Sequence, residues 1–144
     1  ANADTFVWSS IRSVDELASV RTAAMPAFLG DFTAADRGRY VAAALPSLPF
    51  SNRAFDLAVV SHFLFLYSDH FDAAFHVDSI IELCRVAREV RAFPVIALAG
   101  HRSQYVDVVA DSLGARGARV SIETVPYEFR RGDNQMMRVI SGNP

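Results

Sequence analysis

Apolar and polar positions divide the chain into short segments with distinct periodicities. The run Phe55–Ser61 is apolar apart from Asp56 and its last residue, which is typical of a strand buried on both faces of a parallel sheet. Phe93–Ala99 has the same character and predicts a second buried strand. Between them, Asp78–Arg91 repeats apolar residues at helical spacing and predicts the clearest helix of the chain.

Weaker patterns extend the prediction on both sides of this segment. Arg39–Ala44 predicts a short strand, and an apolar stripe over Ser103–Leu113 predicts a helix that ends at Gly114. Arg119–Val125 alternates apolar and polar residues and predicts a strand. Met136–Ile140 returns after a turn, so we expect it to pair with that strand as an antiparallel hairpin.

The first part of the chain predicts a helical segment. Ser13, followed three residues later by Glu16, forms a capping-box pattern that marks a helix start. Pro26 lies inside the helical pattern that follows and predicts a kink or a break. We therefore expect a single domain over 1–144, with a helical N-terminal segment over 1–38 and a sheet-forming part over 39–144.

The order of elements is strand, helix, strand, helix, strand and a closing hairpin strand. Such alternation predicts an α/β fold with a mostly parallel sheet, helices on both faces and right-handed crossovers. The final hairpin adds one antiparallel strand to the sheet.

Composition narrows the class of protein. With 51% apolar residues, 21% charged residues and a formal net charge of -2, the chain is core-forming and has no basic stripe for nucleic acid or an anionic membrane. No targeting pattern or transmembrane run is visible, so we expect a cytoplasmic protein. The one cysteine excludes an internal disulfide and a cysteine-built zinc site. All 14 basic side chains are arginine, which excludes Schiff-base and P-loop lysine chemistry.

Several segments resemble the class I S-adenosylmethionine-dependent methyltransferases. Leu48–Phe50, a turn and Phe55–Leu57 resemble the entry to that family's fourth strand, and Glu82–Glu89 resembles the helix before its fifth strand. Ser61–Tyr67 and Val125–Gly132 look like an uncharacterised bacterial branch of the family. The resemblance extends over most of the chain and implies a Rossmann-like sheet that closes with the family's reversed seventh strand.

One feature of the family is missing from this sequence. The family's glycine-rich loop follows its first strand and receives the cofactor, yet no Gly-x-Gly occurs anywhere in the chain. The resemblance therefore implies that the first two strands are lacking and that the chain is the C-terminal part of a longer methyltransferase. We expect S-adenosylmethionine to bind the complete protein and a small-molecule methyl acceptor to be its substrate, with no cofactor bound by this chain alone.

The family's strand order, 3-2-1-4-5-7-6, has a physical consequence. Strand 3 would be Arg39–Ala43 and strand 4 would be Leu57–Ser61, so the missing strands would lie between them. Without them the apolar edge of strand 4 is bare, and an unpaired strand edge is a template for association. We therefore expect this chain to self-associate through that edge, to rearrange, or to retain a further N-terminal piece.

The resemblance also implies where ligands bind, because open α/β sheets hold them outside the carboxyl ends of their strands. His62 is a candidate general base, although a histidine that caps a helix or packs under a loop remains the alternative. Arg130 and Arg131 are candidates for gripping an anionic substrate, unless they only form a solvated hairpin tip. The cofactor candidates are Ala44, Leu45, Ser61, His62 and Phe63, and the substrate candidates are Tyr67, His101, Arg130 and Arg131.

Metal chemistry is not expected, because the histidines are not arranged in a ligand pattern such as HExxH. Two other functions remain open. The second is a methyltransferase-like module without catalysis that binds a partner or a second copy of itself. A different nucleotide-binding doubly wound domain is the third reading, which the missing glycine loop weakens.

Overall fold

A computed structural model describes residues 3–9, 11–34, 39–128 and 130–142. The chain divides into two compact units, Ala1–Ala42 and Ala43–Pro144. This division falls close to the predicted boundary between the helical segment and the sheet-forming part. Within the described residues, no helix combines the length and hydropathy needed to cross a membrane.

The first unit contains one long helix, α1, over Val14–Ala34. Its start follows the predicted capping pattern, because the Ser13 hydroxyl accepts the Glu16 amide at 3.0 Å and the Glu16 carboxylate accepts the Arg12 amide at 2.7 Å. The helix continues through Pro26, so the expected break is wrong. A proline removes only one backbone donor, which a helix of 21 residues tolerates.

The second unit is built on a mixed sheet of four described strands. They are β1 (Phe55–Ser61), β2 (Ala87–Phe93), β3 (Arg119–Thr124) and β4 (Gln135–Ile140). The order across the sheet is β1-β2-β4-β3, with β1 parallel to β2 and β4 antiparallel to both of its neighbours. The α/β class and the antiparallel C-terminal hairpin are confirmed. Because β4 is inserted between β2 and β3, two of the three strand pairs are antiparallel.

Helices α2 (Ala73–Val86) and α3 (Val106–Gly114), with a 3-10 helix over Leu64–Tyr67, cover one face of this sheet. The second unit places no described helix on the opposite face, in contrast to the two covered faces expected from sequence. Alternate strand residues point to the covered face, where they meet the helices in a single core. This core contains Leu64, Phe65, Ile80, Leu83, Val90, Ala92, Val95, Val106, Val109, Leu113, Met137 and Val139.

The second strand differs most from its prediction. The helix predicted over Asp78–Arg91 ends at Val86, and Ala87–Phe93 forms β2. The strand predicted over Phe93–Ala99 is a loop apart from its first residue. Ala, Arg and Glu favour helix in isolation, but hydrogen bonding to strands on both sides outweighs that intrinsic preference.

The predicted strand over Arg39–Ala44 is also wrong. Ala44 makes only an isolated bridge to Ser47, across a turn in which the Ser47 amide donates to the Ala44 carbonyl at 3.1 Å. Pro46 and Pro49 follow and lack the amide donors that a strand ladder requires. The predictions of β1, α3, β3 and β4 are confirmed within a few residues at their ends.

Strand β1 lies at an edge of the sheet, which contradicts its prediction as a strand buried on both faces. Phe55, Leu57 and Val59 point to the uncovered face and are 42%, 44% and 62% exposed. Ala58 and Val60 point to the other face and pack against the core. No described strand pairs with the outer side of β1, so its edge is free, as expected.

A network of charged side chains crosses the uncovered face beside β1. The Glu89 carboxylate accepts hydrogen bonds from Arg91 at 2.7 Å and from Arg138 at 2.9 Å through both of its oxygens. Arg138 also lies 3.6 Å from Glu123 on β3. The hydrogen bonds from Arg138 and then from Arg91 lower the pKa of Glu89 from 4.5 to about 2.

This network predicts an acid-dependent loss of stability. Because the folded-state pKa of Glu89 lies below its ordinary value, the carboxylate stabilises the protein above about pH 4.5 and loses that effect as the pH falls toward 2. We expect Glu89→Gln to unfold at lower urea concentration than the parent at neutral pH, with the difference disappearing near pH 2. Glu123→Gln, which loses only the longer contact, should show a smaller difference. A Glu89→Gln difference that does not change with pH would contradict this role.

Candidate functional site

Three parallel-running strands end at one edge of the sheet, called here the carboxyl edge. Ser61 at the end of β1 lies opposite Phe93 at the end of β2, and β3 ends at the same edge at Thr124, on the other side of β4. The hairpin between β3 and β4 returns over the same edge. The candidate residues Ser61, His62 and Phe63 therefore stand where open α/β sheets bind their ligands.

His62 is held in a conformation that non-glycine residues seldom adopt. Its φ of 55° lies in the left-handed region, which stores strain and is found preferentially at functional sites. The His62 amide donates to the Phe93 carbonyl at 2.7 Å, and the imidazole meets the Phe93 ring edge-on at 5.5 Å. Its Nδ1 is hydrogen-bonded to the Ser61 hydroxyl at 2.7 Å. This arrangement fixes one ring nitrogen, leaves Nε2 for a ligand and keeps the side chain exposed.

His62 lines an aromatic cleft of about 390 Å³ together with Phe63, Tyr67, His70 and Phe71. The rings of this cleft contact one another, with 5.6 Å between Phe63 and Phe71, 6.2 Å between Phe63 and Tyr67, and 5.9 Å between Tyr67 and His70. Such a surface accepts a flat ring by stacking and attracts a cation to the ring faces. The structure thus brings together the predicted residues Phe63 and Tyr67 with His62, and adds His70 and Phe71.

The hairpin contributes a buried carboxylate that sequence reasoning missed. Asp133 is only 6% exposed, and its Oδ1 receives no hydrogen bond from any described residue. Burial raises the pKa of Asp133, while the charges of His62 and Arg130 act in the opposite direction. Tyr127 of the same hairpin contacts Phe93 at 5.8 Å, next to His62. Asp133 lies in a Gly-Asp-Asn turn, and such a sequence carries no signal for burial.

Arg130 binds the neighbouring loop. Its Nη1 donates to the Leu98 carbonyl at 2.6 Å, and its guanidinium lies so close to Gly100 that a Cβ there would meet Nη2 at 2.7 Å. Gly100, with a φ of 89°, permits this approach. Arg131 is exposed at the hairpin tip and has no ion-pair partner in the described part of the chain. The anion grip remains a prediction for both residues, and Phe129 lies outside the described residues.

The other predicted residues do not line the aromatic cleft. His101 is exposed in the loop after β2, where its carbonyl accepts the Ala97 amide at 2.8 Å. Ala44 lies in the turn with Ser47, and Leu45 packs against the core of the second unit. Their roles toward a cofactor or substrate stay predictions. In the described ranges, no group of three His, Cys, Asp or Glu side chains could hold a metal ion.

Comparison with known proteins adds one relative. No protein-family model matches the chain, and no solved structure matches it. Over 134 residues, or 93% of this chain, the sequence is 32% identical to the uncharacterised protein MJ0045 of Methanocaldococcus jannaschii. The chain spans 58% of the length of that protein. The name of this relative assigns no activity. The relative is useful as a longer homologue for experiments.

Proposed function

We propose that the chain is the C-terminal part of a class I S-adenosylmethionine-dependent methyltransferase of Rossmann-like fold. The observation that carries the proposal is the strand order β1-β2-β4-β3, with β4 antiparallel between its neighbours. The family's last four strands follow the order 4-5-7-6, in which the reversed strand 7 lies between strands 5 and 6. A simple hairpin would leave β4 at the edge of the sheet, so the hairpin alone does not explain why β4 lies between β2 and β3.

The carboxyl edge offers the chemistry that such a site needs. Bound S-adenosylmethionine supplies a methyl group carried on a positively charged sulfur. The aromatic cleft fits this group, because its rings stack on a planar base and attract a cation. Phe63 and Tyr67 would hold the cofactor and the acceptor in line. Such alignment supplies most of the rate enhancement in a methyl transfer, because the protein itself forms no covalent bond.

His62 is placed to accept the proton that an acceptor hydroxyl, amine or thiol loses on methylation. Nδ1 is already bonded to Ser61, so the proton would go to the exposed Nε2. The His62 charge opposes the rise in the pKa of Asp133 that burial causes, and an ionised Asp133 would stabilise the resulting imidazolium. These roles make His62 the candidate base and Asp133 a charge that stabilises its protonated form.

The proposal assigns the cofactor cradle to sequence that this chain does not contain. No Gly-x-Gly occurs in the chain, and the free edge of β1 is where the family's first strand would pair. The relative from M. jannaschii is considerably longer than the aligned region. We further propose that the complete protein is cytoplasmic, acts on a small molecule and has no nucleic-acid partner, in line with its mixed surface charge.

Variants of the aromatic cleft test the placement of the site. In a protein extended by the sequence encoded upstream of Ala1, we expect Phe63→Ala to weaken binding of S-adenosylhomocysteine about tenfold, equivalent to about 1.4 kcal/mol. Isothermal titration calorimetry measures the effect. The matched control is Arg119→Gln, an exposed residue at the start of β3 on the far edge of the sheet, which should bind as the parent does. Equal affinity for parent and Phe63→Ala would place the cofactor elsewhere.

A second candidate is a non-catalytic module that binds a partner or a second copy of itself. The exposed apolar residues of β1 and its free edge favour this reading. The two functions differ in one property, because only the methyltransferase requires the extended protein to bind S-adenosylhomocysteine.

A further inference from the structure

A cavity of about 290 Å³ opens at the opposite end of the sheet, called here the amino edge. It lies where β1 and β2 begin and β4 ends, away from His62 and the aromatic cleft. Its apolar lining comes from Ile81 and Cys84 on α2, Leu113 on α3 and Ala118 in the turn before β3. The size approaches that of the smallest ligand pockets in proteins, about 300 Å³.

Three arginines, Arg53, Arg85 and Arg116, line this space, called here the arginine cavity, and two of them have no opposing charge among the described residues. Arg85 is neutralised by Glu82, whose carboxylate it contacts at 2.7 Å. Among the described residues, the Arg53 guanidinium donates to the Gly142 carbonyl alone, and the Arg116 guanidinium donates to the carbonyl and hydroxyl of Ser112 alone. Neither Arg53 nor Arg116 lies within ion-pair distance of a carboxylate in the described ranges.

The residues that line the cavity include no aspartate or glutamate. Within the described ranges, the positive charges of Arg53 and Arg116 are therefore uncompensated beside an apolar space. Arg53 and Cys84 both line the cavity, and the Arg53 charge opposes the rise in the pKa of the Cys84 thiol that burial causes. A guanidinium fork matches a carboxylate or phosphate in shape and charge, and it is desolvated more readily than an ammonium.

We propose that the arginine cavity binds a small amphipathic anion, whose carboxylate head contacts Arg53 and Arg116 and whose short hydrocarbon body lies against Ile81 and Leu113. This site is separate from the proposed methyltransferase site and does not depend on it. It also gives the uncompensated arginines a role different from the anion grip predicted at the hairpin. The arginine charges select against uncharged alcohols, and the apolar lining selects against inorganic anions.

Cys84 provides a reporter inside the cavity, because it is the single cysteine of the chain. We expect hexanoate to slow the alkylation of Cys84 by iodoacetamide, followed by mass spectrometry at mildly alkaline pH. Occupancy lowers the reactive fraction by a factor of one plus the ratio of ligand concentration to Kd, so hexanoate at four times its Kd should slow the reaction about fivefold. Hexanol at the same concentration should give little protection, since it lacks the charge.

Variants separate charge recognition from simple filling of the cavity. Arg116→Gln should abolish protection by hexanoate. Arg53→Gln is an independent second variant with the same expected result. Far-UV circular dichroism checks that each variant is folded. Arg119→Gln is the matched control and should retain full protection, because this exposed arginine does not line the cavity. The proposal is overturned if hexanoate gives no protection, if hexanol protects equally well, or if folded Arg116→Gln and Arg53→Gln remain protected as the parent is.

Discussion

His76→Ala should lower the free energy of unfolding by about 3 kcal/mol, because it removes a fully buried ring and the hydrogen bond that the ring donates to a backbone carbonyl. His76 is 0% exposed, and its Nδ1 and Nε2 lie 2.7 Å and 3.1 Å from the carbonyl oxygens of Asp72 and Leu64. Its ring also contacts Tyr105 at 4.7 Å. The substitution leaves a void and removes the N–H that the ring donates to one of these two carbonyls. Urea unfolding measures the loss.

Two further histidine variants make this result specific. His70→Ala removes an exposed imidazole from the same region and should change the stability by less than about 0.5 kcal/mol. His76→Phe keeps most of the volume but has no ring N–H to donate, so it should fall between the parent and His76→Ala. An unchanged unfolding free energy for His76→Ala would mean that this imidazole does not support the core.

Val59→Lys should convert a self-associating chain into a monomer. Val59 is 62% exposed on the free edge strand, and two such edges would join their sheets by backbone hydrogen bonds and place their exposed apolar residues side by side. Lysine on an edge strand opposes this pairing by its charge, since two copies would bring like charges together. Size-exclusion chromatography with light scattering should show a parent mass above 15.8 kDa and a variant mass at that value.

The control for this prediction is Val108→Lys. Val108 is 47% exposed on α3, away from the sheet edge, so the same chemical change there should leave the association intact. A freely soluble, monomeric parent chain would contradict self-association through β1. Equal dissociation by both lysine variants would point to net charge as the cause.

The parts of the fold that could be predicted from sequence depend on local patterns. The apolar run of β1, the stripe of α3 and the alternation of β3 mark their elements because each pattern matches the periodicity of one structure. Ala87–Phe93 could not be assigned in this way, since its residues favour helix and only pairing with β1 and β4 makes it a strand. The exposure of β1 is likewise a property of the sheet order rather than of the strand's own residues.

The candidate site shows the same limit. Ser61, His62 and Phe63 could be predicted, because a polar residue directly after a buried-type strand falls at the carboxyl edge. The burial of Asp133 and the uncompensated charge of Arg53 could not, because each depends on residues distant in sequence that fold beside it. The charge of Arg130 predicts an anion-binding residue. Its hydrogen bond to the Leu98 carbonyl could not be predicted, because it depends on the packing of two loops.

Calorimetric titration with S-adenosylhomocysteine tests the central claim most directly. The titration compares this chain with the same protein extended by its upstream coding sequence, and with the longer relative from M. jannaschii. We expect measurable binding to both longer proteins and none to this chain alone, because the chain holds the aromatic cleft but no glycine-rich cradle. Absence of binding to the longer proteins would contradict the assignment as a methyltransferase.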